Sequence, residues 1–125
     1  MSDIKKIAII TNFNIQEKLG AAMQVTEKLC KFVNEIYIPE TYRDRIMRAR
    51  MHRAEFSYKP LDEIYQSADL IVGIGGDGVM LEAARRATPC GIPILGINMG
   101  RVGYMTELEI DELELITRVF EGKYK

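Results

Sequence analysis

Apolar residues in this chain recur with two different periods, and the switches between them mark out the elements. Ile4 to Ile10 ends in the β-rich run Ile7-Ala8-Ile9-Ile10, and Thr11-Asn12-Phe13-Asn14 follows with turn and capping chemistry, which predicts an opening strand and its loop. From Gln16 to Val33, Leu19, Ala22, Met23, Thr26, Leu29, Cys30 and Val33 return at steps of three and four, with Glu17, Lys18, Glu27, Lys28 and Lys31 between them. That spacing predicts an amphipathic helix with one buried stripe. Ile36-Tyr37-Ile38 reads as a short strand closed by Pro39, and Thr41 to Arg53 as a helix whose apolar members are Ile46, Met47 and Met51. Leu61 to Gln66 is a short helix, and Asp69 to Ile74 is a continuous apolar strand of the kind buried on both faces.

A second strand and helix pair completes the pattern. Gly75-Gly76-Asp77-Gly78 leads into a helix marked by Met80, Leu81, Ala83, Ala84 and Ala87, which ends near Thr88-Pro89. Ile92 to Ile97 is another buried strand, Asn98 to Thr106 a glycine-bearing loop, and Asp111 to Phe120 a closing helix with Gly122 as its stop. Strands alternating with helices predict an α/β fold, a parallel sheet with helices on both faces and right-handed crossovers. A length of 125 residues makes one α/β domain over 1-125 the expectation.

Composition narrows the function more than the fold. With 47% hydrophobic and 28% charged residues the chain can bury a real core. Its 17 basic residues against 18 acidic give a net charge of -1, so there is no global cationic field to grip nucleic acid or an anionic membrane. The start is polar and the apolar runs are short, so a cytoplasmic protein is expected, with no nucleic acid or membrane partner. Cys30 and Cys90 stand apart without a metal-ligand spacing and are expected to be reduced and mostly buried. His52 is the single histidine, which leaves a histidine triad or multi-histidine metal site without partners. Arg43, Arg45, Arg48, Arg50 and Arg53, tempered by Asp44 and Glu55, read as a solvated helical face ahead of a polyphosphate attractor, and Met47 and Met51 as core packing.

The candidate chemistry lies in Gly73-Ile74-Gly75-Gly76-Asp77-Gly78, at the carboxyl end of a buried strand, where open α/β sheets bind ligands. Glycine lets phosphate oxygens approach backbone N-H groups, and the next helix presents its positive end. The run is neither the GxGxxG fingerprint nor a Walker loop, since Asp77 divides the final glycines and no Gly-Lys-Ser/Thr follows. Asp77 has two readings. It is a helix N-cap contributing about 1 kcal/mol, or a carboxylate beside a phosphate cradle, able to accept a hydroxyl proton, orient the attacking oxygen or hold a magnesium ion.

Gly75-Gly76-Asp77-Gly78 followed by Leu81-Glu82-Ala83-Ala84-Arg85 resembles the GGDG signature of NAD kinases, phosphofructokinases and the diacylglycerol and sphingosine kinases. Gly96-Ile97-Asn98-Met99-Gly100-Arg101-Val102-Gly103-Tyr104-Met105-Thr106-Glu107 resembles the GINxGxLGFLTE segment typical of NAD kinases, and the likeness runs over essentially the entire chain. The resemblance implies transfer of a phosphoryl group from ATP or polyphosphate to the adenosine-ribose 2′-hydroxyl of NAD, giving NADP, with a divalent metal, Mg2+, as cofactor. It implies Asp77 as general base, and Gly75, Gly76, Asp77, Gly78, Leu81, Asn98 and Tyr104 as the nucleotide-binding set, with no metal ligand assigned. It also implies a carboxyl-terminal β-rich domain that this chain lacks, homo-oligomers in the intact protein, and little activity from these 125 residues alone. Val79 stands where the family has Thr or Asn, and Glu82 where it often has a basic residue. These two departures keep open a non-catalytic nucleotide-binding or regulatory domain; a more distant kinase of the GGDG superfamily is a third alternative, against which the Asn98 to Glu107 segment argues.

Overall fold

The computed structural model describes residues 4-98 and Leu108-Glu109. Its strands are β1 (Lys6–Ile10), β2 (Glu35–Pro39), β3 (Phe56–Lys59), β4 (Leu70–Gly75), β5 (Ile94–Asn98) and β6 (Leu108–Glu109). The helices are α1 (Gln16–Leu29), α2 (Arg43–Arg48), α3 (Leu61–Ser67) and α4 (Asp77–Ala87), with 3-10 turns at Glu40–Tyr42 and Thr88–Cys90. All pairings are parallel, in the order β3-β2-β1-β4-β5-β6.

Alternation along each strand divides the core into two layers. Ile7 and Ile9, Ile36 and Ile38, and Leu70, Val72 and Ile74 pack on one face with Leu19, Ala22, Val25 and Leu29 of α1 and Ile46 of α2. Ala8, Tyr37 and Ile71 point the other way, onto Ile64 and Tyr65 of α3 and Ala83 and Ala87 of α4. The expected three-layer α/β fold is therefore present, with each strand hydrophobic on both sides because helices cover both. Gly73 belongs to the second face, where a Cβ would stand 2.5 Å from the Met80 methyl, the far end of a flexible side chain that could shift to admit it.

The centre of the sheet joins segments sixty residues apart. Ile7 pairs with Leu70 and Ile10 with Gly73. At the amino end, the Asp69 carboxylate accepts from the backbone N-H groups of Lys5 and Lys6 at 2.9 and 3.0 Å. At the carboxyl end, the buried Thr11 hydroxyl donates to the Ile74 carbonyl at 2.6 Å.

Several expectations change. The predicted helix over Thr41 to Arg53 is only α2, because Arg50 adopts φ +58°, and the chain then forms β3, an edge strand that the sequence reading left out. Met51 packs partly buried, but Met47 is 36% exposed and Ile46 takes its place in the core. The thiols are free, yet Cys30 is half-buried and Cys90 exposed, since each lies just past the last buried turn of a helix. α1 stops at Leu29, short of Val33. The closing helix expected over Asp111 to Phe120 lies outside the described residues. No helix among the described residues is long and apolar enough to cross a membrane.

Replacing Thr11 with valine keeps its shape and deletes its hydrogen bond to Ile74. The substitution is expected to destabilise the chain by about 1 to 2 kcal/mol, read as a lower denaturation midpoint at unchanged m-value.

Candidate functional site

β1 and β4 are neighbours, but the chain leaves them in opposite directions, through α1 to β2 and through α4 to β5. Their carboxyl ends therefore flank a crevice that no crossover covers. The β1 side of it is firmly held. The Asn12 backbone carbonyl accepts from the Ile15 N-H, and its side-chain oxygen from the Asn14 N-H, both at 3.1 Å. Phe13 is fully buried with its ring 4.9 Å from that of Tyr42. Arg45 reaches over from α2, donating through Nε to the Phe13 carbonyl at 3.1 Å and through a terminal nitrogen to Gln16 at 2.9 Å.

The β4 side is the glycine turn. Gly75 has φ +151°, and a Cβ there would meet the Val79 Cγ2 at 2.9 Å, so both backbone and packing demand glycine. Gly76 and Gly78 differ, because a Cβ at either meets no described atom within 4 Å. Packing against the described residues does not require glycine at those two positions, and among those residues the space above them is open. Gly76 is the cap of α4, without a side-chain capping bond, and its carbonyl accepts the first helical bond from Met80 at 3.2 Å. Asp77 is thus the first residue of the helix and not its N-cap, which displaces the capping reading by one position.

Two clefts open beside this turn. One of about 300 Å³ lies between Thr11, Asn12 and Tyr42 on the β1 side and Gly78, Val79 and Glu82 on α4. The other, of about 680 Å³, runs along α4 from Gly78 past Leu81, Glu82 and Arg85 to Pro89. Leu81 is 55% exposed on the second, an apolar side chain available to a planar ligand. Asn98 ends β5 in register with Gly75, which puts its backbone beside the turn. Tyr104 lies outside the described residues. Of the predicted set, then, Gly75, Gly76, Asp77, Gly78, Leu81 and Asn98 cluster at one end of the sheet.

Glu82 borders both clefts, and its charge is already answered. Its oxygens accept from Arg85 at 2.7 and 2.8 Å and from Arg86 at 2.9 Å. Those hydrogen bonds, Arg85 first, hold the Glu82 carboxyl below its ordinary range. The pairing persists above the ordinary carboxylate range and is lost only as pH falls through the lowered value. The arginine-rich segment is likewise engaged structurally, through Arg45 and through Arg53, which pairs with Glu27 at 3.0 Å and Glu55 at 3.3 Å. His52 meets the Tyr58 hydroxyl at 2.9 Å in an aromatic group with Phe56, away from the crevice-lining residues. Among the described residues no three metal-ligating side chains gather. Sequence reasoning missed Thr11, Asn12 and Tyr42 as cleft residues; the first two had a signal in following a strand, whereas Tyr42 had none.

Comparison with known proteins agrees with this geometry. A family model described as the ATP-NAD kinase N-terminal domain matches residues 7-124. An NAD kinase of Thermoanaerobacter sp. is 33% identical over 122 residues, covering 97% of this chain and 41% of its own length. One from Aromatoleum aromaticum is 32% identical over 123 residues, or 98% of this chain and 40% of the relative. The chain thus spans about two fifths of the curated relatives it matches. Among solved structures, yeast NADH kinase complexed with NADH superposes with a TM-score of 0.80 at 17% identity, over 96% of this chain and 39% of that one.

The two kinds of glycine should separate experimentally. Gly75→Ala is expected to cost about 2 kcal/mol or more, from backbone strain and overpacking against Val79. Gly76→Ala is expected to change stability by less than about 1 kcal/mol. Chemical denaturation of both variants measures the difference.

Proposed function

This chain belongs to the NAD kinase family as its amino-terminal domain, and on that premise we propose that it supplies the phosphate-binding half of an enzyme that phosphorylates the adenosine-ribose 2′-hydroxyl of NAD to give NADP. ATP or polyphosphate is the donor. The observation that carries the reading is the turn at the end of β4, where Gly75 is demanded by the backbone while Gly76 and Gly78 leave open space at the start of an eleven-residue helix. A helix start with unobstructed N-H groups suits phosphate oxygens.

In this reading Asp77, placed by the backbone at that helix start, takes the proton from the ribose hydroxyl as the oxygen attacks the terminal phosphorus. Phosphoryl transfer asks mainly for position and charge, so the proteinaceous work is alignment of the two substrates. Leu81 offers an apolar surface to the adenine, and Asn98, in register with Gly75, contributes at the edge of the turn. Tyr104 is proposed as the aromatic neighbour of the same ring.

Magnesium fits this donor set as a phosphate-borne ion. Mg2+ is commonly held by one or two carboxylates plus substrate phosphates, and the glycine turn's sequence holds a single acidic residue, Asp77, between Gly76 and Gly78. Carried on the substrate phosphates, such an ion would neutralise charge on the transferring group. The chain's own residues then hold the phosphates and align the hydroxyl. The remaining contacts belong to the β-rich carboxyl-terminal half, and the intact protein is proposed to be cytoplasmic and homo-oligomeric.

Alone, the 125-residue chain is expected to melt cooperatively and to make little NADP; robust production from NAD and ATP would contradict the division of labour. Fused to a family carboxyl-terminal half, it is expected to form NADP. In that fusion Asp77→Asn should lower turnover by about 10²- to 10⁴-fold while changing stability by less than about 1 kcal/mol. Steady-state kinetics and thermal melts measure both, and near-normal turnover would remove Asp77 from the chemistry.

A further inference from the structure

Lys18 stands in the first turn of α1, beside Glu17, yet its side chain reaches the turn after β4. Its ammonium lies 3.7 Å from the point that a Cβ on Gly75 would occupy. The cation therefore reaches from the helix after β1 to the turn after β4, across the divide between the two crossovers. It is half-buried, and among the described residues it makes no ion pair or side-chain hydrogen bond.

The neighbouring cations differ from it. Arg45 is committed to Phe13 and Gln16, and Arg85 and Arg86 to Glu82. Position makes the contrast sharper, because a positive charge in the first turn of a helix opposes the macrodipole. A half-buried ammonium near the starts of both α1 and α4, with Asp77 the one acidic residue in the adjoining turn sequence, sits where the several negative charges of a polyanion would be favoured. Gly76, over which the described residues leave open space, follows Gly75 in the chain.

We propose that Lys18 holds a phosphate of a triphosphate-bearing ligand, whether nucleoside triphosphate or inorganic polyphosphate, against the Gly75-Gly76 turn. The inference rests on the phosphoryl-transfer reading for its ligand class. It adds a positioning contact from α1, outside the glycine motif. A flexible ammonium acts on phosphate as a point charge, so arginine should substitute in part and a neutral side chain should not.

The test is calorimetric titration of the 125-residue chain with inorganic tripolyphosphate and, separately, with ATP, comparing Lys18→Gln and Lys18→Arg with the unsubstituted chain. The expected result is a loss of about tenfold in affinity for Lys18→Gln, a smaller loss for Lys18→Arg, and an unchanged thermal midpoint for both. A loss with both ligands assigns the contact to the shared triphosphate; a loss with ATP alone assigns it to a nucleotide donor, and with tripolyphosphate alone to an inorganic one. Undiminished binding of both ligands by Lys18→Gln, or no binding of either by the unsubstituted chain, overturns the proposal. NADP formation by the fusion is scored independently, so a Lys18-dependent triphosphate site without NADP would refute the kinase reading and leave this contact standing.

Discussion

The pairing of β1 with β4 is the contact on which the other features depend. It joins residues 6-10 to residues 70-75, so it closes a long loop and carries a correspondingly large entropic cost. The compensation is concentrated there. Asp69 fastens the amino ends through two backbone N-H groups, Thr11 fastens the carboxyl ends through a buried hydroxyl, and fully buried isoleucine and valine side chains fill the space between. Once those strands are side by side, right-handed crossovers send α1 and α4 to opposite faces. The crevice is the geometric remainder of that divergence, present before any residue in it has a chemical role.

The glycine run illustrates how one motif meets two demands. Gly75 answers to packing against Val79 and to a positive φ, whereas Gly73 lies against only the flexible end of Met80. Gly76 and Gly78 answer to neither among the described residues. Val79, the departure from the family pattern, is itself part of the packing, since its methyl group occupies the space over Gly75. Glu82, the other departure, is bound by two arginines and so presents less charge to a ligand than its sequence position suggests.

Legibility in the sequence followed burial. β4, whose six residues are all buried, and the two-sided strands β1 and β5 stand out as apolar runs, and the position of the glycine turn follows from them. β3 did not stand out, because Phe56-Ser57-Tyr58-Lys59 is a short edge strand with a half-buried pattern, preceded by an arginine-rich stretch that resembles a helix. The same stretch hid Arg45, whose partners, Phe13 and Gln16, are about thirty residues away and announce nothing locally. The capping reading of Asp77 falls at the right junction, with Gly76 in the cap and Asp77 one position into the helix, a difference of the size that cap and first turn commonly produce. Lys18 looked like an ordinary polar-face residue, and only the adjacency of α1 to β4 gives it a neighbour at Gly75.

Gly78 and Glu82 are common to both clefts. A shared wall gives the two spaces a route by which their occupants could be coupled. Any ligand that moves Glu82 away from Arg85 and Arg86 alters the second space as it enters the first, and thermodynamic linkage makes that influence mutual. In such an arrangement the coupling between two ligands would be a property of one carboxylate and its two arginines, carried on a single helical turn, and the same whichever ligand arrived first.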